Sequence, residues 1–112
     1  MISYGMTKKD IINAETSSIA LQTLENGAVI EIKGAAVTET TDTETGEIRN
    51  VGYLVCADGQ IYGCVSATAI KSIEGIVELF TDEAENGVDK LEVKVTKRKS
   101  NAGREFISLL IM

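Results

Sequence analysis

Proline and histidine are absent from these 112 residues, aromatic side chains make up 4%, and there are two cysteines, Cys56 and Cys64. With no histidine and no second cysteine pair, a zinc site would have to borrow carboxylates, and their spacing supports none. The two cysteines are read as small free thiols, buried or half-buried, in a reducing compartment. Also missing are a charged leader followed by an apolar run, as a secretory signal requires, and any apolar stretch long enough to span a bilayer. The chain is expected to work inside a cell, with no membrane partner. It has no serine in a nucleophile-elbow context, no GKS/T loop and no convincing carboxylate pair. Neither catalysis nor a metal or other cofactor is expected.

What is present has the size and composition of one soluble domain, 44% hydrophobic and 25% charged. Its charge is unevenly spread. The net charge is -6, yet six of the eleven Lys and Arg fall between Lys90 and Arg104, opposed there only by Glu92. That segment carries +5, so the remainder carries -11. A charged patch is often only a solvated face, but phosphates respond to a local positive surface while acidity elsewhere limits aggregation.

Residues 1–27 are read as an N-terminal extension, partly helical or irregular, in which Thr7 caps a short helix with Asp10 in its first turn. Residues 28–112 are read as the main domain. "AVIEIKGAAV" alternates, with Ile30, Ile32, Gly34 and Ala36 on one face, and "TETTDTETGEI" forms the tip of a long hairpin. "DG" at 58–59 signals a two-residue turn that pairs Cys56 with Ile61 and Val55 with Tyr62. Leu54, Cys56, Ile61 and Val65 then face the core, Tyr53, Tyr62 and Cys64 face away, and the two cysteines point to opposite sides of the sheet. From Ser66, read as the N-cap, to about Asp82 the period becomes helical, with Ile70, Ile73, Ile76, Val77 and Phe80 on one face.

The last two strands place Leu91, Val93 and Val95 inward and Lys94, Thr96 and Arg98 outward. Ile107, Leu109 and Ile111 lie opposite Phe106 and Ser108. A three-residue loop with Gly103 as a left-handed bulge keeps these faces consistent and sets Arg98 opposite Arg104. Like charges directly opposed are unfavourable unless an anion lies between them. Strand, strand, strand, helix, strand, strand is the order of a mostly β, five-stranded OB-like (oligonucleotide/oligosaccharide-binding) barrel with one helix between strands 3 and 4.

Proteins that bind single strands without sequence preference stack bases on aromatic rings and track the backbone with cations. The candidate nucleic-acid-binding residues are Tyr53, Tyr62, Lys94, Lys97, Arg98, Lys99, Arg104 and Phe106. Tyr53 is expected to be exposed, because its neighbour Leu54 already faces the core. Tyr62 and Phe106 are read either as stacking rings or as core residues. The competing function is a protein-interaction module on the same small barrel, using its open edge and acidic tip.

"LENGAVIEI", "ADGQIYGCVS" and "KVTKRKSNAGREFISLL", in that order and with a helix before the third, resemble the single-stranded DNA-binding proteins of tailed phages that replicate by protein priming. The resemblance runs from about Asn13 to the C-terminus. It implies a replication protein that coats displaced single-stranded DNA in the cytoplasm of an infected bacterium, with replication proteins as further partners. It sets Tyr62 and Phe106 on family aromatic positions and Lys94 on a basic one, and departs from the family at Val55 and in the richer "KRK" run.

Overall fold

A thirteen-residue strand, β3 (Val29–Thr41), organises the sheet. It pairs with β4 (Ile48–Cys56) from Ile32 to Thr41 and with β6 (Leu91–Lys99) from Val29 to Ile32. The short β1 (Ile2–Tyr4) pairs with it at Ala35–Val37. The computed structural model describes residues 2–99, 103 and 105–112. The sheet runs β2-β5-β4-β3-β6-β7, where β2 is Ile19–Ala20, β5 is Ile61–Cys64 and β7 is Glu105–Ile111. Among the described residues only β2 with β5 is parallel.

The sheet curls into a mostly β, OB-like half-barrel. Residues from both of its ends, Ala20 of β2 and Ile107 of β7, line one hollow, and one apolar cluster draws on β3, β4, β6 and β7 together. A bulge at Lys33 lets β3 bend. It also changes the alternation: Ile30 and Ile32 face inward as expected, but beyond the bulge the inward positions are Ala35 and Val37, so Gly34 and Ala36 turn outward. Glycine is required at 34, because a Cβ there would lie 2.6 Å from the Tyr4 carbonyl oxygen where β1 crosses.

The inner face is filled by α2 (Ala67–Glu83), whose Ile70, Ile73, Ile76, Val77 and Phe80 are all buried, as their spacing predicts. Each large apolar side chain enclosed here contributes roughly 1.5–3 kcal/mol relative to exposure. Tyr4 stacks on Phe80 at 4.9 Å and 8° between ring planes, which ties β1 to the helix. On the outer face, α1 (Lys8–Ser17) begins with a capping box: Asp10 N–H donates to Thr7 Oγ1, and Thr7 N–H donates to the Asp10 carboxylate. It packs Ile11 and Ala14, with Met6, over Ala36, Tyr53 and Val55.

The β4–β5 turn has three residues, not two. Gly59 takes φ +94°, its N–H donates to the Cys56 carbonyl, and Cys56 N–H donates to Gln60. Gln60 N–H donates to Asp58 Oδ1, which favours this bulged loop. Leu54 therefore pairs with Tyr62 and Val55 with Ile61. The one-residue shift moves Tyr62 and Cys64 to the inner face and Ile61 to the outer one. Val65 is 71% exposed rather than core. The two cysteines now share a face, contrary to expectation, and both are free. They sit four pairing positions apart, about 13 Å along the strands, beyond the reach of a disulfide.

Candidate nucleic-acid interface

β6 and β7 form the basic hairpin. Its register pairs Val95 with Leu109, Thr96 with Ser108, Lys97 with Ile107, Arg98 with Phe106 and Lys99 with Glu105. This is two positions from the expected register. The faces are preserved, because a shift of two does not invert them. The expected three-residue loop falls on residues outside the described ones, apart from Gly103, which does take φ +80°. Arg98 stands opposite an aromatic ring, not another arginine. The expected Arg98–Arg104 pair fails on that register, and Arg104 itself lies outside the described residues.

On the outer face of this hairpin lie Lys94, Thr96, Arg98, Phe106, Ser108 and Leu110, and β3 continues the Lys94–Leu110 row with Val29. Arg98 is exposed; Lys94 and Phe106 are half-buried. Thr96 Oγ1 lies 2.7 Å from Ser108 Oγ, tying the two strands together between the two cations. The ion pairs among the described residues are Arg49 with Asp42 and Glu47, and Lys90 with Glu31. None engages Lys94, Lys97, Arg98 or Lys99. Acidic side chains gather elsewhere: Glu39, Glu74 and Glu78 line a shallow groove beside Ile2.

Lys97 and Lys99 alternate to the other side of the hairpin. Lys97 is anchored there, its Nζ donating to the Gln22 carbonyl at 2.7 Å and its backbone N–H to Asn26 Oδ1 at 2.9 Å. The ammonium is thereby fixed at the edge of the half-barrel. Lys99 is exposed opposite Glu105, which opposes part of its charge.

Arg98, Lys94 and Phe106 are thus gathered on one face, with Lys97 and Lys99 behind them, whereas the two tyrosines lie apart. Tyr53 is not the exposed ring expected. It faces away from Leu54, as alternation requires, but α1 covers that face and leaves it 5% exposed. Burial, and secondarily the charge of Glu15, raises the pKa of its hydroxyl. Tyr62 is half-buried against the inner core beside Ile30 and Cys56. Burial also raises both thiols, Cys64 to about 11. Sequence reasoning did not single out Val29 and Leu110, which are 50% and 56% exposed beside Lys94. The signal for Leu110 was its even position in a strand whose odd residues are core.

A curled half-barrel with a basic hairpin and a half-open aromatic ring is the architecture of small OB-like binding proteins. The chain belongs to the family described as phage single-stranded DNA-binding protein, which matches residues 6–112. It is 32% identical over 105 residues to the single-stranded DNA-binding protein of Bacillus phage B103, covering 91% of this chain and 84% of that relative. No solved structure matches it. Among the described residues, no helix is long and apolar enough to cross a membrane.

Proposed function

We propose that this protein binds single-stranded DNA without sequence preference and coats strands displaced during phage DNA replication. The observation that carries the reading is the outer face of the β6–β7 hairpin, where Arg98 lies opposite Phe106 and Lys94 lies two pairs away. Phosphates run past Lys94, Arg98 and Arg104 while a base packs on Phe106; Lys97 and Lys99 add positive field from behind. Tyr62 offers a second ring, and Tyr53 serves the fold more than the surface. Replication proteins are further partners, and the work is done in the host cytoplasm without a cofactor. β3 to β7 act as a five-stranded OB-like barrel with α2 between its third and fourth strands, and residues 1–27 are an extension packed onto it.

The test is a titration against fluorescent dT and mixed-sequence oligomers in EDTA at two salt concentrations. Similar affinities for both, falling steeply with salt, are expected. Absence of binding at low salt, or affinity insensitive to salt, would sink the proposal. One observation favours a protein-interaction module instead: Val29, Leu110 and Met112 are 50%, 56% and 63% exposed around Lys94 and the end of β7. That reading predicts binding to a protein partner with weak salt dependence.

A further inference from the structure

Among the described residues the sheet does not close between its two end strands, β2 and β7, and a hollow of about 390 Å³ remains at that seam, within the size range of small-molecule sites. Tyr53, Val65 and Ile107 contribute apolar walls, and Ser18, Gln22 and Ser66 contribute polar groups. Among the described residues the lining contains no Asp, Glu, Lys or Arg. Tyr53 reaches it because Gly63, its partner across the strands, has no side chain; a Cβ there would lie 3.2 Å from the tyrosine ring. Ser66 precedes α2 without a side-chain capping bond, so its hydroxyl remains available to a ligand.

Among the described residues, positive charge enters at the rim. Lys97 is paired with Ile107, a wall of the hollow, and its ammonium is held on the carbonyl of Gln22, another lining residue. A neutral, largely apolar interior with a few hydroxyl and amide groups and a fixed cation at its lip matches one nucleotide: base inside, phosphate outside. Hydroxyls and a carboxamide both donate and accept, so they suit any base.

Resting on the single-strand reading above, we propose that this seam is a base-binding subsite, taking one unpaired nucleobase of the strand whose phosphate lies at Lys97. It would anchor the strand on the side of the hairpin opposite Phe106.

Cys64 lines the hollow and reports on it. The protein is saturated, as judged by anisotropy, with either a dT oligomer or an abasic oligomer of the same length. It is then labelled with an uncharged methanethiosulfonate at mildly alkaline pH, and both thiols are read by peptide mass mapping. The expected result is that dT slows Cys64 labelling by about fivefold or more, the abasic strand does not, and Cys56 is unaffected by either. In parallel, Ala20→Trp fills the hollow from an exposed position. It should weaken binding of dT by about fivefold or more and leave the abasic strand unchanged. Equal Cys64 labelling with saturating dT and with the abasic strand overturns the subsite while leaving DNA binding intact, as does equal slowing of Cys56. Failure of both oligomers to bind at low salt overturns the underlying reading itself.

Discussion

Replacing Lys94 and Arg98 together by Gln removes both described cations from the outer face of the hairpin and keeps most of each side chain's length. On a single strand each neutralised phosphate contributes about 0.7 to the slope of log affinity against log salt, so the pair accounts for about 1.4. Extrapolated from 1 M to about 0.1 M salt, that is roughly fivefold in affinity per contact and about 25-fold for both. Neither side chain is in an ion pair among the described residues, and Arg98 is exposed. The melting temperature should therefore be unchanged or slightly raised. Anisotropy titrations of wild type and double variant at four salt concentrations measure the slope directly, with a thermal melt of each. Wild-type affinity and slope in the double variant would refute the reasoning and leave the positive face as solvated surface.

Phe106→Leu should lower affinity for dT by about 1 kcal/mol with a nearly unchanged melt, whereas Tyr53→Ala should cost about 3–5 kcal/mol of stability; melts and titrations of both variants read this. Gly34→Ala forces a Cβ against the Tyr4 carbonyl and should destabilise by about 1–3 kcal/mol in denaturant unfolding. Hydrogen bonds from the Thr7 backbone, and next from its side chain, lower the pKa of Asp10 below 3.8. Its contribution is thus present above 3.8 and lost as pH falls through the depressed folded value. The stability gap between wild type and Asp10→Asn should close over that acid range, and a gap constant with pH would count against the capping box.

Several features were legible because local pattern and tertiary demand agree. Ile70, Ile73, Ile76, Val77 and Phe80 repeat at helical spacing and are all buried under the sheet. The faces of β6 and β7 follow from alternation alone, and Thr7 and Asp10 form the cap their spacing allows. Register was harder, since it depends on loop conformation. "DG" is compatible with both a two-residue turn and a three-residue bulged loop, and the Asp58 hydrogen bond to Gln60 favours the latter. That single residue reversed the faces of Ile61, Tyr62 and Cys64. The bulge at Lys33 left no sign, because the small residues of "GAAV" fit either face. Tyr53 was misplaced for a different reason: strand parity gives its direction, but not that α1 folds back over it. The Tyr4–Phe80 stack likewise joins residues 76 positions apart with no shared local pattern.

Photocross-linking reads directly whether single-stranded DNA lies on the β6–β7 hairpin. A dT oligomer carrying 5-iodouracil is bound at low salt, irradiated, and the adducts are mapped to peptides. Adducts in residues 94–99 and 105–111, lost on raising the salt, are expected. Adducts confined to the acidic side of α2, at Glu74 and Glu78, would contradict that placement.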